Sequence, residues 1–191
     1  DPLGRAKIDE DKCVACGKCI ISCPFGAISD KSEIYQLIKS LQSDRKVYAV
    51  VAPSFVGQFG AHVSPKQIKE AIKLLGFDDV IEVGLGADLT TLNEAHEFLE
   101  LVPTGEIPFM GTSCCFSWKS MVRKNFPEIN DKISESSTPM IYSGKQMKKR
   151  DPNCEVVFVG PCISKKLEAL EPEVAEVIDF VITYEELLGM L

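Results

Sequence analysis

Four of the eight cysteines in this chain form one short run, and this run most constrains how the chain can fold. Cys13, Cys16, Cys19 and Cys23 follow one another at short intervals, and Pro24 comes directly after the last. The first 30 or so residues show little apolar periodicity, so a metal must organise them. Three thiolates separated by two residues each can wrap one face of a 4Fe-4S cubane. The first three cysteines are therefore predicted to share one cluster, whereas Cys23 is free to bind a second one, as in two-cluster ferredoxins.

A zinc knuckle or a reduced, metal-free loop is the alternative for this run. Zinc sites usually need only pairs of cysteines, and a third cysteine at the same spacing, with Cys-Pro at the end, favours iron and sulfur. A disulfide scaffold belongs to small secreted domains, whereas this chain of 191 residues carries no visible export signal. We therefore expect reduced thiols, metal binding and a cytoplasmic protein.

Composition and charge exclude several classes of partner. The formal net charge is −7 and the acidic residues are spread along the chain, which argues against nucleic acid or an anionic membrane. A membrane span needs roughly 20 apolar residues. The richest apolar stretch, Val47 to Val56, is interrupted by Pro53.

Past residue 45, short apolar runs alternate with amphipathic stretches, which predicts a parallel sheet covered by helices. The fold class is thus α/β, a mostly parallel sheet flanked by helices, preceded by a small ferredoxin-like segment over residues 1–35. We assign residues 45–191 to the α/β domain. The predicted strands are Val47–Ala52, Val80–Val83, Ile107–Met110, Val156–Val159 and Val177–Ile182. The first predicted helix begins at Pro65, with Ser64 as its N-cap. The other predicted helices cover Leu89–Leu101, Phe116–Asn125, Pro139–Lys149, Lys165–Leu170 and Tyr184–Leu191.

Several polar and cysteine residues follow these strands. Pro53-Ser54 follows the first, Cys114-Cys115 the third and Cys162 the fourth. The carboxyl ends of parallel strands are where ligands of open α/β sheets bind. With Lys165 nearby, these residues predict a second metal site, although free cysteines are also common as small buried hydrophobes.

Two stretches resemble the first two signature motifs of the iron-only (FeFe) hydrogenases. They are Thr-Ser-Cys-Cys-Phe-Ser-Trp at residues 112–118 and Gly-Pro-Cys-Ile-Ser-Lys-Lys-Leu-Glu at residues 160–168. The resemblance covers nearly the whole chain. It implies a protein that interconverts protons and electrons with dihydrogen on an H-cluster, which joins a 4Fe-4S cubane to a di-iron unit. It also implies an electron-transfer protein such as ferredoxin as partner.

The resemblance further implies roles for individual residues. Cys115 and Cys162 would bind the cubane of the H-cluster, and Cys114 would pass protons to the di-iron unit. Lys165 would donate to a cyanide ligand of the distal iron, where it is a charge-assisted donor. Pro53 and Ser54 would pack and hydrogen-bond against another cyanide ligand.

A proton relay is implied as well. Its carboxylates and serine match Glu94, Ser134 and Glu97, whereas its outer arginine is replaced by Leu101. Glu94 and Glu97 lie three residues apart and share one helix face. Without the motifs they would be interpreted as a solvated helix face.

The chain departs from the family pattern at three further places. Phe116 replaces a proline, Gly160 replaces a methionine, and the third cysteine motif is missing. We therefore expect a fragment that is inactive alone. The alternatives are a non-catalytic relative that assembles or senses iron–sulfur clusters, and a simple electron-transfer module. Cys114 argues against the former, because a protein that moves no protons does not need that thiol beside Cys115.

Overall fold

Four parallel strands form the centre of the protein. The computed structural model describes residues 8–191, so that residues 1–7 of the predicted ferredoxin-like segment lie outside the described part. The strands are β1 Val47–Val51, β2 Asp79–Glu82, β3 Glu155–Gly160 and β4 Phe180–Thr183. They lie in the order β2-β1-β3-β4, and every neighbouring pair is parallel. The α/β class with a parallel sheet is confirmed.

Helices connect and flank the strands. The α-helices are α1 Lys18–Ser22, α2 Ile34–Leu41, α3 Pro65–Leu74, α4 Gly84–Leu101, α5 Phe116–Asn125, α6 Pro139–Arg150, α7 Ser164–Glu168, α8 Pro172–Ala175 and α9 Tyr184–Met190. Two short 3-10 helices cover Pro53–Phe55 and Pro127–Lys132. The predicted capping box opens α3, where Ser64 Oγ accepts from the Gln67 amide at 3.3 Å. No described helix has the length and the apolar character that a membrane span needs.

Both faces of the sheet are buried, which explains why β1 and β3 read as continuous apolar runs. Every residue of these two strands is buried. One face packs against α2, α3 and α9, through side chains such as Leu37, Ile72 and Leu187. The other face packs against α6 through Met140 and Met147. Helix α4 in turn lies on α6.

The predicted strand Ile107–Met110 is wrong. Within the described residues this segment joins no sheet, and Gly111 next to it forms one isolated parallel bridge with Ile133. Pro108 cannot donate a ladder hydrogen bond, and Phe109 is 44% exposed. Two other boundaries differ by three residues or more: α4 begins at Gly84 rather than Leu89, and β4 begins at Phe180 rather than Val177.

Candidate functional site

The N-terminal cysteines lie on a loop around α1. Cys13 and Cys19 line a cavity of about 260 Å³, and all eight cysteines of the described chain are free thiols. Backbone amides point at two of the sulfurs: Ala15 donates to Cys13 Sγ and Ala27 to Cys23 Sγ, each at 3.4 Å. The Ala27 amide, with neighbouring amides, lowers the pKa of the Cys23 thiol. Such hydrogen bonds stabilise thiolates, the form that binds metal.

The chemistry of these residues suits an iron–sulfur cluster, in which each thiolate binds a different iron. The thiolate-only donor set and the amide donors around it are those of a cluster loop.

This cysteine loop packs directly against the residues of the second motif. Gly17 has a φ of +72°, and a Cβ built on it would lie 2.8 Å from Ile163 Cδ1. Glycine adopts this backbone conformation without strain, and it lets the loop approach Ile163 without displacing that side chain. Cys16 and Cys162 line one cavity of about 580 Å³. The structure thus brings the N-terminal cysteines next to the predicted second metal site.

The carboxyl edge of the sheet carries the polar residues expected there. Ser54 follows β1 and Cys162 follows β3, and both side chains are exposed. Tyr184 follows β4, and its hydroxyl donates to the carbonyl of Ala52 at 2.9 Å and lies 2.8 Å from Ser54 Oγ. Burial raises the pKa of Tyr184. Sequence reasoning missed this tyrosine, although its place directly after a parallel strand was a usable signal.

Cys114 and Cys115 do not follow a strand of the sheet, contrary to the prediction. They are nevertheless joined to the second motif, because Lys165 Nζ donates to the carbonyl of Cys114 at 3.0 Å. The same ammonium pairs with Glu168 at 2.5 Å, and Thr138 donates to the other oxygen of that carboxylate at 2.7 Å. Glu168 is only 3% exposed. A buried carboxylate therefore fixes the lysine that connects the two motifs, a role that the sequence did not indicate.

Helix α4 presents two of its glutamates, Glu94 and Glu97, to two buried serines. Glu94 Oε1 accepts from the amide of Ser113 at 2.6 Å and from its hydroxyl at 2.8 Å. Glu97 accepts from Ser134 Oγ at 2.5 Å. The bridge between Gly111 and Ile133 aligns the two serine segments. Neither the Cys114 thiol nor Ser134 hydrogen-bonds to Glu94 in the described residues, so proton transfer along this row would require bridging water.

Two of the departures from the motif pattern have structural counterparts. A Cβ on Gly160 would lie 2.6 Å from the ring of Phe158, so this ring occupies the space of a side chain at position 160. Phe116 opens α5 and lines a cavity together with Cys13 and Ala15. The ring of Phe158 thus fills space that a side chain at position 160 would take, and Phe116 adds apolar surface beside the cysteine loop.

Cys154 lies apart from the other thiols. It stands just before β3, at the opposite end of that strand from Cys162, and is 2% exposed. Burial raises the pKa of its thiol. It therefore behaves as a small core residue.

Each of the two parts of the chain matches a known protein family. A family model described as "Iron only hydrogenase large subunit, C-terminal domain" matches residues 45–191, and one described as "4Fe-4S binding domain" matches residues 6–29. Iron hydrogenase 1 of Clostridium pasteurianum is 35% identical over 88% of the chain and 33% of its own length. The periplasmic [Fe] hydrogenase large subunit of Nitratidesulfovibrio vulgaris is 26% identical over the whole chain and 58% of its own length.

The name of another relative states a different function. The cytosolic Fe-S cluster assembly factor NAR1 of Meyerozyma guilliermondii is 27% identical over 99% of the chain and 40% of its own length. Among solved structures, an apo [FeFe]-hydrogenase from Chlamydomonas reinhardtii superimposes with a TM-score of 0.74 at 25% identity, over 84% of this chain and 47% of that one. The chain thus spans between a third and somewhat over half of the relatives it matches. The chain belongs to the family of iron-only hydrogenase large subunits, with a 4Fe-4S ferredoxin-like segment in front.

Proposed function

We propose that this chain is part of an enzyme that interconverts protons and electrons with dihydrogen, with electrons entering through a 4Fe-4S cluster on Cys13, Cys16 and Cys19. One observation carries the proposal. The thiols of Cys114 and Cys115 are exposed, and Lys165 of the second motif donates to the carbonyl of Cys114. The row of glutamates and serines begins directly beside them, at Ser113. A metal-binding thiol beside a proton-conducting group is what hydrogen splitting requires.

In this proposal Cys115 and Cys162 hold the cubane of the H-cluster. When bound, the H-cluster supplies the iron on which dihydrogen is formed or split. Lys165 holds a positive charge at the edge of the site, since Glu168 keeps its ammonium in place. Such a cation is a charge-assisted donor toward anionic ligands. Pro53 and Ser54 form the wall after β1, and Tyr184 orients the Ser54 hydroxyl.

The proposed proton route runs from the Cys114 thiol through Glu94, Ser134 and Glu97. Glu94 is fixed by Ser113, the residue before the thiol, and Glu97 is fixed by Ser134. Acceptors held in this way can take up and release protons through intervening water without large side-chain movement. Leu101 stands where the relay's outer arginine would be, so solvent water takes the proton beyond Glu97.

The alternative is a non-catalytic role in iron–sulfur cluster assembly, as the name of the NAR1 relative describes for that protein. Cluster assembly requires metal ligands but no proton route. The retention of Cys114 together with Glu94, Ser134 and Glu97 favours the enzyme.

The test is hydrogen evolution from reduced methyl viologen by the full-length protein that contains this chain, purified anaerobically with its clusters. We expect sustained evolution, at a rate proportional to the iron bound. Protein that carries its full complement of iron and acid-labile sulfide but evolves no hydrogen would refute the catalytic proposal and favour the assembly function.

Cys19→Ser is expected to remove the first cluster. A serine hydroxyl is not deprotonated at neutral pH and is a poor ligand for iron–sulfur clusters, so iron and acid-labile sulfide per chain should fall by about one cluster. Cys154→Ser is the matched control, since Cys154 is buried away from the cysteine loop. Retention of the full iron content by Cys19→Ser would show that the cluster is assigned to the wrong cysteines.

We further propose a cytoplasmic location and a small electron carrier such as ferredoxin as partner. Abundant free thiols suit a reducing compartment. The name of the Nitratidesulfovibrio relative places that protein in the periplasm, so the location is tested by fractionation of the source cells.

A further inference from the structure

Two lysines outside the proposed hydrogen site hold the cysteine loop. Lys124 lies on α5, which begins within the first motif, and Lys166 lies on α7, which lies within the second. Their ammonium groups contact the loop at its two ends, near Cys13 and at Asp30. We call this pair the lysine clamp.

Lys166 forms the buried end of the clamp. Its side chain is 9% exposed, and its Nζ lies 2.6 Å from Asp30 Oδ2 and 2.8 Å from Glu186. It also donates to the carbonyl of Lys31 at 3.1 Å. Burial opposes the charge, but the hydrogen bonds to Asp30 and Glu186 outweigh it and raise the pKa of Lys166. The ammonium thus connects the loop to α9 as a permanent cation.

The same lysine lies beside the thiols. Lys166, Cys13 and Cys19 line one cavity of about 260 Å³. A charge at this place acts on whatever the two thiolates bind, through an environment less polar than water.

Lys124 forms the exposed end of the clamp. Its Nζ donates to the carbonyls of Glu10 and Cys13, each at 2.8 Å. The second of these carbonyls belongs to a cysteine of the loop. Helix α5 begins directly after Cys115, so Lys124 connects the first motif to the loop just as Lys166 connects the second.

We propose that the lysine clamp fixes the cysteine loop on the α/β domain and raises the reduction potential of the cluster that the loop binds. Reduction adds negative charge to the cluster, so nearby cations favour the reduced form. Net charge and hydrogen bonding are established determinants of cluster potentials. Both lysines are positioning residues that act through the loop. The inference rests on the proposed first cluster but does not depend on hydrogen turnover.

The test is a redox titration, followed by electron paramagnetic resonance, of the cluster-loaded full-length protein. The signal that disappears in Cys19→Ser identifies the first cluster. We expect Lys166→Met to shift its midpoint to more negative potential, because Asp30 and Glu186 are then left without their cation. Lys124→Met should produce a smaller shift in the same direction, since its ammonium is exposed and screened. Lys166→Arg should keep the midpoint near its original value.

Lys66→Met is the matched control. It removes the same charge from an exposed position on α3 that lines no part of the cavity, and it should leave the midpoint unchanged. Amide hydrogen exchange over residues 9–31 supplies a second readout, and we expect it to become about tenfold faster in Lys166→Met. If Lys166→Met fails to fold, Lys124→Met decides. The proposed effect on the reduction potential would be overturned if the midpoints of Lys166→Met and Lys124→Met both equalled that of Lys66→Met. It would also be overturned if Lys166→Arg shifted the midpoint as far as Lys166→Met does. Unchanged amide hydrogen exchange over residues 9–31 in Lys166→Met would show that this lysine does not fix the cysteine loop.

Discussion

Replacing Cys114 with alanine is expected to abolish hydrogen evolution by the full-length protein while leaving its iron content unchanged. In the proposed route this thiol is the first proton carrier, and a positioned acid or base typically contributes about a hundred- to ten-thousand-fold to a rate. Alanine cannot carry a proton, and within residues 8–191 Glu94, which is fixed by Ser113, makes no hydrogen bond that would take the place of the thiol. The loss should therefore be at least about a hundred-fold.

The control separates proton transfer from assembly of the site. Cys154→Ala makes the same substitution in the core, at the other end of β3, and should retain hydrogen evolution. Iron and acid-labile sulfide, counted for both variants, should match the unaltered protein. Hydrogen evolution that persists in Cys114→Ala at the unaltered rate excludes this thiol from the route. Loss of iron together with activity would instead make Cys114 a cluster ligand.

The strands and most helices were predictable because local chemistry specifies them. The apolar runs of β1 and β3 reflect burial on both faces, and Ser64, Pro65 and Gln67 signal the start of α3 without reference to the rest of the chain. The prediction of a strand at Ile107–Met110 failed because apolar character alone cannot distinguish a sheet strand from a connecting segment that joins no sheet.

The contacts that build the site were less predictable, because they join residues far apart in the sequence. The spacing of the cysteines predicts which thiols bind the first cluster, since ligands of one cluster on one loop are local in sequence. No spacing rule relates Tyr184 to Ser54 or Lys166 to Asp30, which are 130 and 136 residues apart. Such pairs depend on the tertiary packing of several elements, and only the fold reveals them.

Gly86→Ala is expected to lower the free energy of unfolding, although alanine is the better helix former. Gly86 lies in α4 where this helix crosses α6, and a Cβ there would lie 2.4 Å from the carbonyl oxygen of Pro139 and 2.5 Å from Ser143 Oγ. The serine side chain can rotate, but the carbonyl belongs to the first turn of α6 and cannot move without it. Overpacking of this kind costs about 1 to 3 kcal/mol, whereas helix propensity would gain at most about 1 kcal/mol. We expect a net loss of about 1 to 2 kcal/mol.

Gly84→Ala, two residues earlier in the same helix, isolates the effect of packing, because nothing lies within 4 Å of a Cβ at that position. It should leave the urea midpoint unchanged or raise it slightly, whereas Gly86→Ala should lower it. The consequence extends to the proposed chemistry, since α4 also carries Glu94 and Glu97. Displacing the helix from α6 changes their distances to Ser113 and Ser134, so hydrogen evolution should fall in Gly86→Ala even in urea-free buffer. A Gly86→Ala protein that is more stable than the unaltered one would show that α4 and α6 are not in close contact at this crossing.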